Sequence, residues 1–203
     1  LPAQWGQSAS YFGIQQFPNE SYWPVDASNM VFDHRTSQRV FVGFENKLLG
    51  SSDGGQSYLV LATFGTDPTH RMAQVAVAPN QPRTFYAVQR HGWSPATLHR
   101  SLDSGTTWVQ LPLPGNLGTR LTFAVAPNDA NKIYLTGPEA PDGQKMWRSS
   151  NGGTTWANWS TAALNGQEIR SVLAVLSPSN LVVLGTQSKV FYRTDTSATF
   201  RVL

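Results

Sequence analysis

Three arginines stand at matched places in the chain. Arg71, Arg120 and Arg170 precede Pro79, Pro127 and Pro178 by 8, 7 and 8 residues. A guanidinium is a planar fork that grips both oxygens of a carboxylate or phosphate. Gathered together, three of them make a site for an acidic ligand. Apart, each pairs with a carboxylate of its own segment. Between the first two, Gln89-Arg90-His91-Gly92-Trp93-Ser94-Pro95 sets an indole beside Arg90 and His91. A loop Trp stacks on a sugar face or buries itself in a protein partner. Its alternative is a lid packed over its own sheet edge. Arg71, Arg120, Arg170, Arg90, His91 and Trp93 are therefore the candidate ligand-binding residues.

Other chemistries find less material. Glycoside hydrolysis uses two placed carboxylates. The candidates are Asp67, Glu139, Asp142 and Glu168, and Asp67-Pro68 and Asp142-Gly143 read equally well as turn starts. His70 and His91 find no third ligand, so no metal site and no cofactor is assigned. Cysteine is absent from the 203 residues, which excludes disulfides, thiolate metal sites and Cys nucleophiles. The net charge is only +3, and the 15 Lys and Arg form no run, so there is no nucleic-acid footprint. No window approaches the roughly 18 apolar residues of a membrane-spanning helix. Leu1-Pro2-Ala3-Gln4 has neither the basic start nor the apolar run of a signal peptide. The sequons Asn19-Glu20-Ser21 and Asn158-Trp159-Ser160 are given no weight, since about two are expected by chance in so Ser/Thr-rich a chain.

The elements that must hold these residues are strands. Seventeen Gly and 13 Pro punctuate short runs of Val, Leu, Phe and Tyr, and no long segment keeps a helical apolar period. Those runs repeat. Ser51-Ser52-Asp53-Gly54-Gly55-Gln56-Ser57-Tyr58 returns as Ser101-Leu102-Asp103-Ser104-Gly105-Thr106-Thr107-Trp108 and as Ser149-Ser150-Asn151-Gly152-Gly153-Thr154-Thr155-Trp156. A decayed copy is Arg193-Thr194-Asp195-Thr196-Ser197-Ala198-Thr199-Phe200. The third residues, 53, 103, 151 and 195, lie 50, 48 and 44 apart, the length of a four-stranded unit. Val75-Ala76-Val77-Ala78-Pro79-Asn80 likewise matches Phe123-Ala124-Val125-Ala126-Pro127-Asn128, with a looser copy from Leu173 to Pro178. Each unit reads strand, turn, strand, loop, strand, Asp-rich turn, strand. In the second unit the strands are expected near 73–78, 84–89, 96–101 and 107–111.

The Ser-x-Asp-x-Gly-x-Thr-Trp turn resembles the Asp-box, or BNR repeat. That motif occurs in sialidases, xyloglucan-cleaving glycosidases, sortilin-type receptors and photosystem II assembly factors. The resemblance covers about residues 26–203 and implies an all-β propeller of four-stranded antiparallel blades. Asp53, Asp103, Asn151 and Asp195 are expected to be structural. Asp or Asn accepts backbone N–H bonds within its own turn, Gly takes the unusual backbone angles, and the closing aromatic packs between sheets. Asn151 keeps those bonds but is no general acid.

Four boxes give four blades, whereas rings of this kind commonly hold about six or seven. The chain is either part of a longer ring, or completed by another chain, or closed alone with residues 1–25 as an aromatic-rich cover. In a propeller blade the Asp-box turns lie on one face. The opposite face carries 63–72, 89–95, 112–120, 137–144 and 160–169, and with them the arginines. By resemblance, a sialidase uses three arginines for a sugar carboxylate, and an assembly factor presents an arginine patch to a protein. The Arg-Ile-Pro segment and Tyr–Glu pair of sialidases are absent, and a xyloglucanase needs two propeller domains. The expectation is a non-catalytic binding or scaffold propeller engaging a protein or glycan, placed outside the cytoplasm on the resemblance alone. The alternatives are a glycoside hydrolase fragment and a purely structural subunit of a large assembly.

Overall fold

The computed structural model describes residues 29–33, 36, 38–66, 70–115, 117–175 and 181–203. The aromatic-rich segment 1–25, the sequon at Asn19, and Asp67 and Pro178 lie outside the described residues. The regular secondary structure of the described residues is all strand, apart from one short 3₁₀ turn at Ala162–Leu164.

Sixteen strands form four separate antiparallel sheets, each in simple chain order. Sheet 1 holds β1 (Asn29–Phe32), β2 (Val40–Phe44), β3 (Lys47–Ser51) and β4 (Leu59–Thr63). Sheet 2 holds β5 (His70–Val77), β6 (Phe85–His91), β7 (Ser94–Ser101) and β8 (Val109–Leu111). Sheet 3 holds β9 (Thr122–Ala126), β10 (Asp129–Thr136), β11 (Trp147–Ser149) and β12 (Ala157–Asn158). Sheet 4 holds β13 (Ile169–Val175), β14 (Leu181–Thr186), β15 (Val190–Thr194) and β16 (Arg201–Val202).

The middle strands are apolar on both faces because both faces are covered. Successive side chains of a strand point to opposite sides. In β6, Phe85 and Ala87 join Phe41 and Leu48 of sheet 1. Tyr86 and Val88 point the other way and join Phe123, Ile133 and Leu135 of sheet 3. In sheet 3, Tyr134 and Ala126 then meet Val182, Leu184 and Phe191 of sheet 4. Each of the large aliphatic or Phe side chains among these contributes roughly 1.5–3 kcal/mol on burial. The sheets thus stack in sequence, and no core cluster of the described residues joins sheet 4 to sheet 1. The outward face of sheet 4 is apolar too, yet Leu173 there is 59% exposed.

Polar side chains lock neighbouring sheets together. The Gln74 amide donates to the Phe123 carbonyl at 2.7 Å and accepts the Phe123 N–H at 3.0 Å, copying a strand–strand ladder across two sheets. Tyr86 donates its hydroxyl to the Ala130 carbonyl at 2.9 Å, and burial pushes its pKa up to about 12. Arg100 reaches the Gly152 carbonyl at 2.9 Å. Partners of this kind are what makes buried polar groups tolerable.

Candidate functional site

Both ends of each sheet are fixed by its ladders. In sheet 2, Phe85 faces Ser101 at one end, while His70 faces His91 and His91 faces Ser94 at the other. The Ser-Asp turns leave β3, β7 and β11 at the first end. The arginines stand at the second.

At the first end the turns are closed by local hydrogen bonds. Ser51 Oγ donates to Asp53 Oδ1 at 2.7 Å, and the N–H groups of Gln56 and Ser57 donate to the same oxygen at 2.9 and 3.0 Å. Asp103 accepts from Ser101 Oγ and from the Thr107 N–H and hydroxyl in the same way. These bonds hold the Asp53 carboxyl far below its ordinary value and Asp103 at about 2, led by the Ser57 hydroxyl and the Thr107 N–H respectively. Asn151 keeps the pattern: its Oδ1 accepts from Ser149 Oγ and the Thr155 N–H, and its Nδ2 donates to Thr155 Oγ1. Gly153 is required here, since its φ is 85° and a Cβ would come within 2.5 Å of Leu111.

Asp195 behaves differently. It accepts from Lys132 Nζ at 2.6 Å, Tyr134 Oη at 2.8 Å and Arg148 at 3.4 Å, all from sheet 3. Arg193 stands where the other copies have Ser, so the hydroxyl that pins the acid to its own turn is missing. The fourth acid ties sheet 4 to sheet 3 instead. The hydrogen bond to Asp195 and burial together drive the Tyr134 phenol well above its usual range, burial being the larger cause.

At the second end lies a cavity of about 460 Å³. Arg90 from β6, Arg120 ahead of β9, and Glu168 and Arg170 around the start of β13 line it, with Gln74 and Thr122 on the wall. Three sheets thus contribute one guanidinium each. Arg71 does not line the cavity. It lies directly opposite Arg90 in the β5–β6 ladder and is exposed. Like charges opposed across a ladder destabilise it. Among the described residues no carboxylate pairs with Arg71, Arg90 or Arg120. Only Arg170 has one, Glu168 at 3.4 Å, with both side chains about half exposed.

The expected loop 89–95 is a tight hairpin. β6 runs through His91 and β7 begins at Ser94, leaving Gly92 and Trp93 as the turn. Gly92 takes φ 58°, the positive angle that a two-residue hairpin needs at its first central position. Trp93 is 99% exposed and does not act as a lid on its own sheet. His91 is partly buried. Its Nε2 lies 2.7 Å from Thr97 Oγ1, which lies 2.9 Å from His99 Nε2. Thr97 has a single hydroxyl proton and two lone pairs, so at most one imidazole accepts from it and at least one donates to it. The His70 ring meets the His91 ring edge-on at 4.3 Å. Burial, with the His91 charge, holds His99 down to about 4. No group of three or more metal-ligating side chains occurs among the described residues.

The other carboxylates are dispersed. Glu139 takes long bonds from the Thr119 N–H and hydroxyl at 3.4 Å. Asp142 accepts the Gly166 N–H at 2.9 Å and pairs with Lys145. Neither lines the cavity, where Glu168 is the single carboxylate among the described residues. Asn158 of the second sequon bonds the Gly143 carbonyl through Nδ2. Gln74 and the Thr97–His99 pair escaped the sequence reading. The signal for Gln74 was a lone amide in the otherwise apolar run Met72–Val77, with Thr122 at the same offset from the repeat proline.

The sequence matches no family model and no curated protein. Solved structures are similar in fold. The GH74 xyloglucanase from Xanthomonas campestris superposes with TM-score 0.66 at 18% identity, over 86% of this chain and 30% of that one. YCF48 bound to D1 peptide gives TM-score 0.60 at 16% identity, over 86% of this chain and 53% of that one. Oligogalacturonate lyase in complex with manganese gives 0.58 at 15%, over 82% and 50%. The chain therefore spans between about a third and a half of the length of these structures. No helix of the described residues is long and apolar enough to cross a membrane. With four sequential four-stranded antiparallel sheets and these neighbours, the chain is a β-propeller structure, its sheets the blades.

Proposed function

We propose that this chain is a non-catalytic binding scaffold that takes an acidic group of a protein partner into the arginine pocket. One observation carries the reading: guanidiniums from three successive sheets meet at one cavity, and two of them, Arg90 and Arg120, have no carboxylate partner among the described residues. A cluster of like charges beside a low-dielectric wall attracts and orients an anion. Trp93, fully exposed one turn beyond Arg90, offers an aromatic anchor at the rim. Binding is favoured over hydrolysis because the described residues of the cavity hold one carboxylate rather than a pair. YCF48, a fold neighbour solved with a peptide, supports a protein partner. As the sequence resemblance suggests, we place this activity outside the cytoplasm; recovery of the native protein only in the cytosolic fraction would refute that placement.

Calorimetric titration of the full chain with hexaglutamate tests the binding reading. Arg90→Ala with Arg120→Ala is expected to weaken binding at least tenfold, since each charge-assisted bond is worth about 1.5–3 kcal/mol. Unchanged affinity in the double variant would refute it.

A second reading concerns completion of the ring. The outward face of sheet 4 presents Leu173 and Val175 where the equivalent faces of sheets 2 and 3 are covered by the next sheet. This favours a further blade packing there, from the same or another polypeptide.

A further inference from the structure

We propose that Glu168 is a resident competitor in the arginine pocket, a carboxylate that an incoming acidic ligand must displace from Arg170. The inference rests on the acidic-ligand reading above and gives the pocket its selectivity. Glu168 is the one acidic side chain among the cavity residues. It sits two residues before Arg170, at the mouth of β13, with its Oε2 3.4 Å from the guanidinium. In the unliganded pocket it occupies the charge that a ligand carboxylate would use. The pair is made to be broken. At 3.4 Å it is longer than a strong charge-assisted bond. Arg170 and Glu168 are 55% and 44% exposed, so water screens the pair. An exposed ion pair of this kind is weak. Neither side chain needs the other to avoid a buried charge, and Glu168 can swing to solvent when a ligand enters.

Competition has a consequence for ligand choice. A cation gains from Glu168 only by approaching three guanidiniums, which repel it. A single anion held by Arg90 and Arg120 leaves Glu168 on Arg170 and gains nothing from the third guanidinium. A ligand with several acidic groups engages Arg90 and Arg120 first and then displaces Glu168 from Arg170. The pocket is thus tuned to acidic segments rather than to isolated small anions.

The experiment is hexaglutamate titration of the wild-type chain, Glu168→Gln, Arg170→Ala and the double variant. Glu168→Gln keeps the shape and removes the charge from an exposed position, so it leaves folding intact. It is expected to bind about two- to fivefold more tightly than wild type, the range of an exposed ion pair. The gain is expected to vanish in the Arg170→Ala background, because there is then nothing to compete for. Equal or weaker binding by Glu168→Gln would overturn the inference. So would a gain that persists without Arg170, which would show a general field effect rather than competition. The underlying reading fails separately. If hexaglutamate binds none of the four proteins, the acidic-ligand site itself is refuted. If wild type binds through Arg90 and Arg120 but is indifferent to Glu168→Gln, only the competitor role is refuted.

Discussion

A carboxylate and an amide do the same work in the Ser-Asp turns. Asp103 and Asn151 accept the same two bonds, from the Ser hydroxyl and the N–H four residues on. The charge is therefore dispensable while the acceptor oxygen is not. Asp103→Asn is expected to leave the thermal midpoint within a degree or two, whereas Asp103→Ala is expected to lower it clearly. Paired melting curves check this, and equal losses in both variants would show that charge matters after all. At this scale much was legible. The turn acids and the arginines were found by their offsets from repeated residues. Asp195 was found the same way, but its partners were not legible, because its role changed when Arg193 replaced the pinning serine. Sequence shows the lost hydroxyl but not the three sheet 3 donors waiting for the freed carboxylate. Arg71 shares the offset of the others but is not among the residues lining the cavity, where Arg90, its partner across the β5–β6 ladder, stands.

The β6–β7 hairpin carries the rim of the site, and its footing is titratable. His99 is held at about 4 by burial and by His91, against an ordinary value of 6.5. In the unfolded chain His99 takes up its proton near pH 6.5, while in the fold it does so only near pH 4. Across that window the unfolded state binds more protons, so stability is lost as pH falls through it. The full shift corresponds to about 3 kcal/mol; with part of the ring exposed to water, roughly 1–2 kcal/mol is expected. Unfolding by urea at pH 7 and pH 4.5 measures it, and His99→Gln is expected to flatten that difference. A pH response undiminished in His99→Gln would assign it elsewhere. Strand existence was readable here and strand ends were not. The expected strands 84–89 and 96–101 stop short of the real ones because Arg90, His91 and Ser94 are polar. Pairing with β5 and a Gly92 turn carry the ladder past the point where the apolar pattern ends.

Four stacked blades leave two unlike ends. Sheets 2 and 3 are covered on both faces, while the far face of sheet 4 exposes Leu173 and Val175. If a further blade from another copy or chain covers that face, the native species exceeds 22.3 kDa by light scattering, and Leu173→Glu returns it to that mass. A native monomer of that mass, unchanged by the substitution, would contradict completion by another chain. The repeat spacing made the blades readable, since each unit carries its own turn and its own apolar strands. The convergence of Arg90 with Arg120 and Arg170 was not readable as such. It depends on how far each sheet is rotated against the last, and that is set by side chains such as Gln74 and Tyr86 that bridge sheets. The central claim is that the arginine end, not the Ser-Asp end, receives an acidic partner. Hydrogen–deuterium exchange of the full chain with and without saturating hexaglutamate tests it most directly. Slowed exchange is expected in segments 88–92, 119–122 and 168–171. Protection confined to 51–57, 101–107 and 149–155 would contradict the account.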